Sequence, residues 1–81
     1  MSGTLSFRKT PKKWNGSFQY PLRDKIADHI SCYGVTTIDH SEISYFKGLK
    51  DACDNKSDIE DLNKIIEILE SGDTVDFKME F

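Results

Sequence analysis

The chain has 81 residues, 37% of them apolar and 31% charged, with a net charge of -3 at pH 7. That length supports one modest core and excludes two domains or an enclosed catalytic cavity of the usual enzyme size, while no apolar run approaches the ~18 residues of a membrane span. The charge is uneven: residues 1–23 hold Arg8, Lys9, Lys12, Lys13 and Arg23 without an acid, and the remainder holds 6 basic and 14 acidic residues, so a basic arm faces either a polyanion or an acidic helical face of its own domain.

Met1 to Leu5 has neither the basic segment nor the apolar stretch of a signal peptide, which predicts a cytoplasmic protein whose Cys32 and Cys53 are free thiols. Thr4 to Lys9 alternates, with Leu5 and Phe7 opposite Ser6 and Arg8, and reads as a short strand. Asn15-Gly16 is the favoured pair for a two-residue hairpin turn, with Lys12–Trp14 and Ser17–Tyr20 as arms and Trp14, Phe18 and Tyr20 packing across them. Pro21 suits the start of a helix in which Leu22, Ile26, Ile30 and Tyr33 recur at helical steps until Gly34.

Asp39 and Glu42 have capping-box spacing, with Ile38 and Ile43 placed as a hydrophobic staple, so a second helix is expected from near His40. Its stripe is Ile43, Phe46, Leu49 and Cys53, with Gly48 in the middle as a point of close packing. Ser57 and Glu60 repeat the capping-box spacing and predict a third helix from about Asp58, with Ile59, Leu62, Ile66 and Leu69 forming the buried stripe and Ile65 and Ile68 widening it. Gly72 suits the left-handed turn that ends this helix, after which Val75, Phe77, Met79 and Phe81 alternate with Asp76, Lys78 and Glu80 as a half-buried strand.

The predicted order is strand, strand, three helices, strand. The last strand has no later neighbour, so it must pair with one or both N-terminal strands. Residues 1–81 therefore read as a single α+β domain of two layers, a small antiparallel or mixed sheet from the N-terminal hairpin and the C-terminal strand, covered on one face by three helices. Leu5, Phe7, Val75, Phe77, Met79 and Phe81 join the helix stripes in its core.

Chemistry is harder to place. His29, Cys32, His40 and Cys53 could supply a zinc tetrahedron, but only His29 and Cys32 have a ligand-like interval, and Cys53 sits on an apolar helical stripe. Cys32 with His29 could also pair as nucleophile and base, yet no phosphate loop, nucleophile elbow or zinc-protease motif selects them. The chain therefore reads as a non-enzyme with no cofactor and no metal. A helix-turn-helix is disfavoured because Gly34 to Asp39 is too long for its turn and Asp39 and Glu42 would face the phosphates.

Two surfaces stand out for binding. Arg8, Lys9, Lys12 and Lys13 with Trp14 combine cations and a stacking ring, while Asp58 and Asp61 belong to the acidic C-terminal half, whose acids Lys47, Lys50, Lys56, Lys64 and Lys78 interrupt. The leading expectation is a small protein-binding module, an inhibitor or adaptor of a larger protein partner, of the size that phage and mobile elements encode. The alternative is a nucleic-acid-binding module using the N-terminal basic stretch, and less favoured is a small metal protein or enzyme. No membrane partner is expected, and a homodimer through an unpaired C-terminal strand is open.

Overall fold

The computed structural model describes residues 3–80, so the Phe81 core position lies outside the described residues. The order is β1 (Thr4–Lys9), β2 (Gly16–Phe18), α1 (Leu22–Ile30), β3 (Val35–Ile38), a 3₁₀ turn (His40–Glu42), α2 (Ile43–Asp51), α3 (Lys56–Glu70) and β4 (Val75–Glu80). The strands form one antiparallel sheet in the order β2-β1-β4-β3. This is the two-layer α+β fold expected, with a fourth strand added between the first two helices.

β4 is central, not an edge. Its alternation pairs six residues with β1, from Thr4↔Glu80 to Lys9↔Val75, and four with β3. β3 escapes the sequence reading because Val35-Thr36-Thr37-Ile38 is too short for a clear period; the free side of β4 organises it. The first helix stops earlier than its periodicity suggests, since Ser31 turns left-handed (φ 54°) and its N–H caps back toward α1, which carries Tyr33 into solvent instead of the core.

The expected two-residue hairpin turn does not form. Gly16 belongs to β2 and pairs with Phe7, so residues 10–15 make a longer loop, anchored where Thr10 N–H donates to Thr74 O and Asn15 N–H donates to Phe7 O. The Asn-Gly pair is used for a close approach instead. A Cβ at Gly16 would stand 2.8 Å from Phe7 Cε1 and 3.0 Å from Asp61 Oδ1, inside van der Waals contact. Because Phe7 is fully buried and stacked on Phe18, Gly16→Ala is expected to lower stability by about 1–3 kcal/mol in urea unfolding, through overpacking and not through any turn preference. Tyr20, placed by the sequence reading in a cross-strand aromatic set, lies beyond β2 and is exposed.

Neither reciprocal capping pair forms, although Asp39 does cap the turn that starts at His40 as expected. At α3 the cap is Asn55, whose side chain accepts from Asp58 N–H, two residues before the Ser57 expected. At the 3₁₀ turn leading into α2, Asp39 accepts from the N–H and hydroxyl of Ser41, and these bonds hold its carboxyl below the usual carboxylate range. Glu42 does not return to that cap, because it is taken by His29. A Cβ at Gly48 would meet no atom of another segment within 4 Å, so the glycine serves no close approach there. Gly72, at φ 85°, does end α3 by the left-handed route.

The core lies between the layers. Leu5, Phe7, Phe18, Ile38, Val75 and Phe77 from one sheet face meet Leu22, Ile26, Phe46, Leu62, Ile65 and Leu69 from the helices in one buried cluster. Among the described residues no helix is long and apolar enough to cross a membrane. The opposite sheet face carries no helix, and that face frames the candidate site.

Candidate partner-binding face

Alternation along the strands decides what the uncovered face displays. Since Leu5, Phe7, Val75 and Phe77 point to the core, their neighbours Ser6, Arg8, Asp76 and Lys78 point outward, and the register sets Arg8 beside Asp76 beside Thr37, and Ser6 beside Lys78 beside Val35. Asp76 is the anchor of this layer. It is 4% exposed, yet every oxygen has a donor: Thr10 Oγ1 (2.7 Å) and Thr37 Oγ1 (2.6 Å) donate to Oδ1, and Arg8 Nε (2.8 Å) to Oδ2. Burial pushes the Asp76 carboxyl up, but the Thr37 and Thr10 hydroxyls and the Arg8 guanidinium outweigh it and hold the group below the ordinary carboxylate range.

Thr10 and Arg8 also fix the loop that crosses this face. Lys12 N–H donates to Lys9 O, and Arg8 Nη1 donates to Lys12 O at 3.4 Å. The loop thereby lays Trp14 over the outward cations of two adjacent strands, with Arg8 Cζ 4.6 Å and Lys78 Nζ 4.8 Å from the ring. Cations this close to an indole are attracted by its quadrupole, worth roughly 0.5–1 kcal/mol at exposed sites. Trp14 is still 37% exposed, so it is neither core nor free. Lys12 and Lys13 are exposed, and among the described residues neither has an acid within ion-pairing distance.

The sequence-predicted binding residues therefore separate into two groups. Arg8, Lys12, Lys13 and Trp14 belong to the uncovered face or the loop crossing it. Lys9 falls on the other side of β1, at the sheet end, paired with Asp73 at 3.2 Å. Asp58 and Asp61 belong to the helical layer. Asp58 is engaged at the α3 cap and borders a cleft of about 380 Å³ with Tyr20, Leu22 and Cys53. Asp61 is packed beside Gly16, where burial pushes its carboxyl up against the pull of Lys64 at 3.6 Å. The acidic side of α3 is thus partly spent on packing. Lys78 and Val35 were missed: the outward direction of Lys78 is readable from alternation but its nearness to Trp14 needs the strand order, and Val35 joins the face only once β3 pairs with β4.

A second constellation joins α1 to α2. His29 Nε2 lies 2.7 Å from Glu42 Oε1, its ring stacks on Tyr45 with centroids 3.6 Å apart, and Tyr45 OH donates to Lys25 O. Burial raises the Tyr45 phenol, with Asp28 and Glu42 adding to it. His29 and Glu42 also border an open polar cleft of about 370 Å³ beside β3. The tetrahedron considered from sequence is not assembled: Cys32 is buried and donates to Gly34 O, His29 is held by Glu42, and among the described residues no three His, Cys, Asp or Glu side chains gather around a common point.

Compared with known proteins, the chain matches no family model, no curated protein and no solved structure.

Proposed function

We propose that the protein is a cytosolic protein-binding module, an inhibitor or adaptor, that docks the uncovered face of its sheet on an acidic surface of a larger protein. The observation that carries this is Trp14 lying on Arg8 and Lys78: a half-exposed indole, already ordered by two cations, is the type of side chain that dominates binding energy when it enters a partner's pocket. Ordering before contact lowers the entropy lost on docking. Lys12 and Lys13 add unpaired positive charge at the rim, which steers an acidic partner and sets orientation.

A single-stranded nucleic acid is the second reading, favoured by the same ring and cations, which suit a stacked base with its phosphate beside it. One experiment separates the two. Tagged protein is used to capture partners from its native lysate with and without nuclease, in parallel with Trp14→Ala and the Lys12→Glu/Lys13→Glu pair. The protein reading expects a stoichiometric protein that survives nuclease and whose affinity falls roughly thirtyfold or more for Trp14→Ala, as an anchor worth about 2 kcal/mol requires. Retention that disappears with nuclease, and binding to an oligonucleotide that weakens steeply with salt, would replace it with the second reading. Wild-type retention in Trp14→Ala would remove the face from consideration.

A further inference from the structure

The sheet has two edges, and they are unlike. β2 contributes three residues, whereas β3 lies within Ile30 to Ile38, nine residues without a charge or a proline. Tyr33 and Val35 in this stretch are 87% and 64% exposed. Sheet edges that stay solitary are usually blunted by brevity, charge, proline, a bulge or a covering element. Of these β3, four residues long, has neither charge nor proline, and beside it runs the open cleft bordered by Ile30, Ser31, Thr36 and Thr37, whose ionisable residues, His29, Asp39 and Glu42, lie outside the strand.

The ladder shows which backbone groups face out. Gly34 O accepts from Met79 N–H at 2.9 Å, and Thr36 and Ile38 stand opposite Phe77 and Val75. In an antiparallel ladder bonded and unbonded positions alternate, so Gly34, Thr36 and Ile38 bond to β4 while the N–H and C=O of Val35 and Thr37 point away from the sheet. Among the described residues no hydrogen bond reaches those outward groups.

We infer that β3 is a self-association edge, which pairs antiparallel with β3 of a second copy, Val35 of each chain opposite Thr37 of the other. In that register both outward residues of each chain satisfy both of their backbone groups, about a two-fold axis at Thr36. The occupant is a second copy because the edge is self-complementary: its outward groups are symmetric about Thr36, β3 itself carries no charge, and in this register Asp39 falls opposite Tyr33 of the other copy, so no like charges stand opposite one another. Pairing doubles the four-stranded sheet and brings the uncovered faces of both copies, with their Trp14 loops, onto one continuous surface. It also covers Val35, whose side chain then packs beside Thr37 of the other copy.

Sedimentation equilibrium of the full chain over a concentration series tests this, with Val35→Pro and Val35→Lys alongside. Because the Val35 N–H points outward, proline there removes a donor from the pairing edge while leaving the β3–β4 ladder intact. The expected result is a wild-type mass that rises with concentration toward twice the 9.3 kDa of one chain, and a dimer weakened at least tenfold in both variants, with unchanged circular dichroism. Amide exchange of the wild type supplies a readout independent of either variant: Val35 and Thr37 should gain protection as concentration rises. A wild type that stays at the monomer mass up to about millimolar concentration overturns the inference, as does a dimer that both variants leave intact, or an edge filled only by a foreign extended segment.

Discussion

Replacing Phe77 with alanine should lower the unfolding free energy by about 3–5 kcal/mol, measured by urea denaturation of the full chain. Phe77 is fully buried at the middle of the central strand, its ring 5.9 Å from Phe46 on α2 and 6.4 Å from Phe7 on β1. Its ring joins sheet and helical layer within the one buried cluster. Alanine removes the transfer energy of the ring and leaves a cavity that two other rigid rings cannot close. Phe77→Leu keeps most of the volume and should cost about 1–2 kcal/mol. Against a total stability expected at roughly 5–15 kcal/mol, the alanine loss is a fifth or more of what holds the domain folded. Equal effects for leucine and alanine would show that this contact is not tightly packed.

Asp76→Ala should cost about 2–4 kcal/mol by the same measurement, because it leaves Arg8 without its carboxylate and two threonine hydroxyls without an acceptor in a nearly closed layer. The loss is kept below that of a fully buried ion pair because Arg8 remains 29% exposed and can recruit water. Asp76 also gives the protein an acid dependence of definite sign. Its folded pKa lies below its unfolded value, so the folded state binds fewer protons than the unfolded chain between the two; its contribution is complete above the ordinary carboxylate range and is lost as pH falls through the depressed folded value. Asp39 acts in the same direction and Asp61, whose carboxyl is raised, in the opposite one. Asp76→Asn should therefore flatten the acid limb of the stability curve relative to wild type. A parallel curve would mean that the threonine and arginine donors do not hold the ionised form. Loss of Asp76 should also loosen Trp14, since Thr10 and Arg8 position its loop; near-ultraviolet circular dichroism of the indole reports this.

The two charged side chains that matter most for the candidate face illustrate how far residue order can be followed. Arg8 was identifiable as a basic residue on the polar side of a strand, and Asp76 as an outward position of the last strand. Nothing local says that they touch, because they are 68 residues apart in the chain and meet only when β4 takes its place beside β1. Lys78 reaches Trp14 by the same route. Asn15-Gly16 shows the converse: a pair with a strong local preference was overruled because Phe7 needs a neighbour without a Cβ, and the strand begins at the glycine.

Residue order alone determined the class of fold, the three helices, the β1 and β4 strands and most of the core, since helical and strand periodicities separate buried from exposed positions without knowledge of any partner. Capping and turn details shifted by a few residues because several Ser, Asp and Asn side chains compete for the same few orphan N–H groups. Only the tertiary structure decided that β4 is central, that the short Val35–Ile38 segment is a strand with an open outer edge, and that Trp14 rests on cations outside the core. Each of these depends on contacts between distant segments, whose energy comes from burial and pairing shared across the whole sheet and not from the preference of any one stretch.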